Sequence, residues 1–157
     1  MDNSASSTPQ DVQSLPYFSA VIKEAQRISM ANPTRLPRTV PPTGWTYKDY
    51  HFPPGTLVGC SAYQLHFDES VFQDAKRFCP ERWLENVSDE MNKSWFAFGA
   101  GPRSCIAKNL AITELFVATE KVVVSNVLRG ARVCKEEIEV FEWFNAKVKG
   151  EKIEIVW

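Results

Sequence analysis

Phe98-Gly99-Ala100-Gly101-Pro102-Arg103-Ser104-Cys105-Ile106-Ala107 is the stretch around which the 157-residue chain is organised. A glycine- and proline-rich loop holds one basic residue and then delivers a cysteine to what reads as the first turn of a helix. That helix is expected to run from Cys105 to about Val124, with Ile106, Leu110, Thr113 and Val117 on one face and Gly130 near its end. A cysteine at a helix N-terminus lies near the positive end of the helix dipole and near unpaired N–H groups, and Arg103 adds a charge; all three favour a thiolate. Gly99 and Gly101 let the backbone turn tightly and approach something flat and large. Phe98 supplies an aromatic wall. A thiolate ringed by backbone amides is a good ligand for a metal with an open coordination position.

Other readings of the same residues stay open at this level. A lone cysteine is most often an inert buried hydrophobe, and Gly-x-Gly completes neither a Rossmann nor a P-loop pattern. A phosphatase loop needs a basic residue across an anion cradle after its cysteine, and Ile106 to Ala111 offers Lys108 alone. A cysteine hydrolase needs a histidine; the two in the chain, His51 and His66, read as packed or surface residues.

Upstream of the loop, residues 1–13 are polar and expected to be frayed or disordered. A helix follows, with Ser14 as N-cap and Pro16 in its first turn, and Asn32-Pro33 ends it. Leu15, Phe18, Ile22, Ala25 and Ser29 form its apolar stripe, with Glu24 and Arg27 three apart on the other side as a solvated pair. Arg35 to Pro42 is proline-punctuated and extended. Trp45 to Phe52 and Thr56 to Cys60 read as two strands joined by a tight turn at Pro53-Pro54-Gly55. Residues 85–94 read as a loop. The tail alternates at Ile138 and Val140 and again at Ile153, Ile155 and Trp157, as hairpin strands with a turn at Lys149-Gly150. The fold class is α+β.

Bulk properties narrow the function. A formal net charge of -1 gives no electrostatic case for nucleic acid or an anionic membrane surface. No apolar run approaches the ~18 residues of a membrane span, and the polar start lacks the features of a signal peptide. By composition the chain reads as soluble. Cys60, Cys79, Cys105 and Cys134 include no C-x-x-C pair, which argues against a zinc site.

The combination of Phe98, Gly101, Arg103 and Cys105 resembles the haem-binding signature Phe-x-x-Gly-x-Arg-x-Cys of cytochrome P450 monooxygenases. Two further family marks lie upstream in the right order. Glu24-Ala25-Gln26-Arg27 is similar to the Glu-x-x-Arg helix, and Pro80-Glu81-Arg82-Trp83 to the meander before the haem loop. Leu65-His66-Phe67-Asp68 is similar to another family segment, which usually carries Arg where Phe67 stands. The resemblance covers residues 14–157, in a style closest to fungal microsomal members.

That resemblance implies the C-terminal part of the P450 fold: the Glu-x-x-Arg helix, a small β-hairpin sheet, the meander, the cysteine-ligand loop, a following helix and a C-terminal hairpin. Cys105 is then the axial thiolate of haem b, the ligand that favours O–O cleavage. Arg103 and Arg38 bind the propionates, Phe98 packs beside the thiolate, and Gly99 and Gly101 approach the porphyrin. Ala107 stands where the family commonly has Gly. Glu24, Arg27 and Arg82 form a buried ion network that supports the cradle. Oxygen insertion into a small organic substrate, with electrons from NADPH-cytochrome P450 reductase, is the implied chemistry, and Thr39 to Thr43 line one side of the pocket. Full-length relatives are usually anchored to the endoplasmic reticulum. The oxygen-activating helix of the family has no counterpart in this sequence, so the expectation is a truncated segment, inactive alone. The alternative is a non-catalytic haem-binding or interaction remnant. A thiol redox sensor built on Cys105 is a third reading.

Overall fold

The computed structural model describes residues 9–29, 31–135, 138–141 and 145–157. Residues 1–8, part of the stretch expected to be frayed, lie outside them. The rest of that stretch differs from the expectation: Pro9–Gln13 forms a short helix, α1. Its Val12 is buried with Ile22 and Phe116, and that burial offsets part of the entropy lost in ordering the segment.

Helix α2, Pro16–Ser29, presents two working faces. Ile22 and Phe18 turn toward the C-terminal helix, where the Phe18 and Phe116 rings sit 5.6 Å apart. The opposite face carries Ala20, Glu24 and Arg27, all buried. So the polar side of the stripe is not solvated. It is the side packed deepest in the molecule.

Strands β1 (Arg38–Thr39), β2 (Trp45–Tyr47), β3 (Tyr50–Phe52) and β4 (Leu57–Val58) follow. The hairpin is β2–β3, with Trp45 opposite Phe52 and Tyr47 opposite Tyr50. Its turn falls at Lys48-Asp49, where Lys48 takes φ 52°. Pro53-Pro54-Gly55 is a turn closed by Thr56 N–H donating to the Pro53 carbonyl at 3.2 Å. It redirects the chain so that β4 pairs with β1, Arg38 opposite Val58. The sequence reading joined two aromatic runs that in fact lie in one hairpin, because both types of turn suit polar or proline residues.

Helix α3 (Ala62–His66) is capped by Ser61, whose hydroxyl accepts from the Gln64 N–H. Pro80–Trp83 forms a 3-10 turn that packs against α2. Residues 85–94 contain a helix, α4 (Asp89–Ser94), where a loop was expected. Ser88 caps it and Asp89 and Glu90 lie in its first turn, a start signal worth more than its polar composition suggests. The principal core lies here: Ala20, Phe72, Ala75 and Trp83 are buried together, with Trp95 and Met91 packed against them.

Helix α5 is Lys108–Ser125, ending at Asn126 in the left-handed conformation. It begins three residues after Cys105. Of the face expected to pack, Ile106 and Leu110 are exposed, while Phe116 and Ile112 face the second core cluster. Beyond it, β5 (Arg132–Val133) pairs with β8 (Ile155–Val156), enclosing β6 (Val140–Phe141) and β7 (Lys147–Val148), which pair with each other. The Lys149-Gly150 turn is present, with Gly150 at φ 79°. No helix among the described residues is long and apolar enough to cross a membrane.

Candidate functional site

Cys105 is placed by a nested set of backbone turns. Gly99 N–H donates to the Phe96 carbonyl at 3.0 Å, Ser104 N–H to Gly101 at 3.0 Å, and Cys105 N–H back to Phe98 at 2.9 Å. Gly99 and Gly101 both adopt φ +70°, which side chains rarely tolerate. At Gly101 no heavy atom lies within 4 Å of where a Cβ would stand. The result is a strip of bare backbone beside an exposed thiol. Because α5 starts at Lys108, Cys105 belongs to the turn ahead of the helix rather than to its first turn, and Lys108 N–H donates to the Cys105 carbonyl at 3.3 Å. Ala107 is the N-cap position, with no side-chain cap.

The loop is supported from behind by aromatic rings. Phe98 meets Trp95 edge-on at 5.8 Å. The Trp95 indole donates to the Lys23 carbonyl on α2 at 3.2 Å. Lys108 Nζ lies 5.4 Å from the Trp95 ring centre. Of the two arginines expected beside the loop, Arg103 lies exposed in the 3-10 turn Gly101–Arg103. Arg38 is exposed on β1, its Nη1 donating to the Pro37 carbonyl at 2.9 Å. The Leu36 side chain, two residues before Arg38, lies 3.9 Å from the Cβ position of Gly99, so the segment leading into β1 touches the cysteine loop.

Glu24, Arg27 and Arg82 come together 0–10 % exposed. The two Glu24 oxygens accept five hydrogen bonds. Oε1 takes Arg27 Nη2 at 2.8 Å, the Cys79 N–H at 3.0 Å and Arg82 Nε at 3.1 Å. Oε2 takes Arg27 Nε at 2.9 Å and the Trp83 indole at 2.8 Å. Burial by itself pushes the Glu24 pKa up. The bonds from Arg27, Cys79 and Trp83, together with the Arg27 charge, outweigh it and hold the group below the ordinary carboxylate value. Arg27 also donates to the His66 carbonyl at 2.6 Å and to Arg77 at 3.3 Å. Its guanidinium carbon stands 5.1 Å from the Phe72 ring centre. Arg82 adds a bond to the Gln73 carbonyl at 2.9 Å. Such saturation is what a buried charge cluster requires, since one unpaired member is far costlier than none.

Three participants carried no sequence signal strong enough to find them. Cys79 enters through its backbone N–H, which no side-chain reading detects. Trp83 enters through its indole, whose target depends on the tertiary packing. His66 is fully buried, accepting from the Phe96 N–H at 2.7 Å through Nε2, with Nδ1 2.7 Å from the Arg27 carbonyl. His51 is exposed on β3, its Nδ1 3.1 Å from the Thr46 hydroxyl. Between α2, α3 and α5 lies an apolar groove of about 590 Å³, with Ala25, Ser29, Phe98 and Leu115 in its walls. Gln26 lines the same groove and has a buried Nε2 without a partner.

Comparison with solved structures gives the class of fold. The chain superimposes on a retinoic acid-bound cyanobacterial CYP120A1 with a TM-score of 0.75 at 20 % identity, over 99 % of this chain and 36 % of that one. This is the architecture of one part of a P450. A cytochrome P450 family model matches residues 1–125, and the chain belongs to that family. It is 47 % identical to the cytochrome P450 monooxygenase mfmF of Annulohypoxylon moriforme, over 97 % of this chain and 32 % of the relative. It is 44 % identical to a pisatin demethylase of Fusarium vanettenii over 73 % of this chain, and 42 % identical to the fusicoccadiene C-8 hydroxylase of Alternaria brassicicola over 68 %. The chain spans about a third or less of the length of these relatives. Membership implies a haem cofactor and, in general, redox partners.

Proposed function

We propose that residues 14–157 form the haem-binding portion of a P450 monooxygenase, with Cys105 as the thiolate ligand of haem b. The observation that carries this reading is the exposed Cys105 beside the bare backbone of Gly99 and Gly101, with open space where the Gly101 Cβ would be. A flat macrocycle needs such a side-chain-free approach, and a single soft donor suits iron whose other ligands come from the macrocycle. The residues present therefore fit the group.

Each neighbouring residue has a part in this arrangement. Phe98 fixes the loop from the side of Trp95. Arg103 and Arg38 are exposed guanidinium groups suited to propionates. Ala107 adds one methyl at the turn into α5. Glu24, Arg27 and Arg82 hold the underlying scaffold. When bound, haem supplies the oxygen chemistry of the family, and its thiolate ligand pushes electron density toward O–O cleavage. The reaction proposed for the whole protein is oxygen insertion into a small organic substrate, with NADPH-cytochrome P450 reductase as electron donor.

The test is a reduced, carbon-monoxide-bound difference spectrum of the chain mixed with haem. A strongly red-shifted, thiolate-type Soret band is expected, and Cys105→Ser should abolish it. A histidine-type band, or an unchanged band in the serine variant, would remove Cys105 from the ligand position.

A further inference from the structure

We infer that His66 is a positioning residue for the cysteine loop: a neutral imidazole that fastens the segment leading to Cys105 onto helix α2 and lets it go when protonated. The proton inventory at the ring requires the neutral form. The Phe96 N–H can only donate, so Nε2, at 2.7 Å, carries no proton. The Arg27 carbonyl can only accept, so Nδ1, also at 2.7 Å, carries one. Both partners are backbone groups, which cannot rotate away or change charge. Together they specify one tautomer of one protonation state. A second proton would place an N–H against the N–H of Phe96, which has no lone pair to accept it.

The clamp connects to the cysteine by a short path. Phe96, whose N–H His66 holds, accepts through its carbonyl from Gly99, and Phe98 accepts from Cys105. On the other side the clamp reaches the ion network, since the residue whose carbonyl takes the Nδ1 proton is Arg27. Arg27 in turn donates to the His66 carbonyl at 2.6 Å, closing a reciprocal pair between α2 and α3.

The charged groups around the ring act in opposite directions. From α2 the Arg27 guanidinium opposes a second positive charge and Glu24 favours it; from α5, Glu114 lines the groove that His66 also borders. The segment 96–98 brings only uncharged side chains. Burial is the largest influence and carries the His66 pKa down to about 4, the Arg27 charge adding to it against the opposing effects of the Arg27 carbonyl and Glu24. The consequence for haem ligation rests on the ligand reading of Cys105; the clamp itself does not.

The experiment is NMR of the ¹⁵N-labelled chain without haem. At pH 7 the ring nitrogens of His66 should show the Nδ1–H tautomer. On acidification, the Phe96 and Cys105 amide resonances should move together with the His66 ring, centred near pH 4, ahead of amides in α5. An Nε2–H or charged ring at pH 7 would overturn the inference, whatever the chain does in acid. So would a Phe96 amide that ignores the ring. His66→Gln places an amide oxygen where Nε2 stood; it should keep the Phe96 resonance close to wild type and abolish the acid step. His66→Asn restores only the donor to Arg27, and should shift both Phe96 and Cys105. An asparagine variant with both resonances unmoved would count against the clamp. These readouts need no haem, so failure of Cys105 to ligate iron and failure of the clamp are separate results.

Discussion

Glu24→Gln is the perturbation that the structure constrains most tightly. Glutamine has the shape of glutamate but only one acceptor oxygen. In its better orientation that oxygen replaces Oε1 and keeps Arg27 Nη2, the Cys79 N–H and Arg82 Nε. Its NH₂ then faces Arg27 Nε and the Trp83 indole, two donors with nothing to accept them. Bonds to a charged group contribute about 1.5–3 kcal/mol each, so two lost bonds already reach several kcal/mol. Independently, breaking a buried ion pair by neutralising one member costs about 3–5 kcal/mol. The two routes agree on a loss of about 3–5 kcal/mol, a large share of the roughly 5–15 kcal/mol that holds a typical domain together. The assay is urea unfolding at pH 7, followed by tryptophan fluorescence, since Trp83 lies on the mutated group. With a slope of about 2 kcal/mol per molar urea, the midpoint should fall by about 2 M. The control is Glu154→Gln, which breaks a shorter pair, Lys152 Nζ to Glu154 at 2.6 Å, but with both side chains more than half exposed. That change should cost under about 1 kcal/mol. If Glu24→Gln moves the midpoint by no more than Glu154→Gln at the same slope, the network does not stabilise the fold and the reasoning fails.

Other outcomes follow from the same geometry. Between pH 6.5 and about 4 the unfolded chain binds a proton at His66 that the native state refuses. Stability should therefore fall as pH drops through that window, by on the order of 3 kcal/mol, and His66→Gln should flatten the urea midpoint over the same range. Glu24, held below its ordinary value, stabilises above its unfolded pKa and loses that contribution as pH falls through the lower folded one, so Glu24→Gln should remove the most acidic part of the profile. Gly101→Ala meets no atom but must hold φ +70°, so apo stability should drop by only about 1 kcal/mol while haem titration shows the larger loss, its methyl filling the open face. Leu110 and Val124 on α5 are 61 % and 74 % exposed; Leu110→Lys with Val124→Lys should reduce concentration-dependent association in sedimentation velocity, since an apolar helix left uncovered favours contact with other copies.

The sequence alone determined the chemistry-bearing parts that are local. The turn at Gly99–Cys105 is written in glycine, proline and spacing, because positive φ and a backbone approach demand those residues. The helix α2 follows from its apolar period and the proline at its start, although the Ser14 hydroxyl, expected to cap it, donates to the Asp11 carbonyl of α1 instead; the family resemblance rests on three short motifs in order. Partnership was not local. Glu24 and Arg27, three apart on a polar face, look the same to a periodicity argument whether water or Trp83 lies opposite. Only packing against Pro80–Trp83 decides that the pair is buried. The β4 strand shows the same dependence: its neighbour is β1, not the hairpin beside it in sequence, because strand pairing is set by which backbone groups remain free once the chain has turned. His66 is the clearest case. One residue in a short, ambiguous segment acquires its place from two backbone groups 30 and 39 positions away, and long-range hydrogen bonds of that kind are a property of the folded chain, not of any window along it.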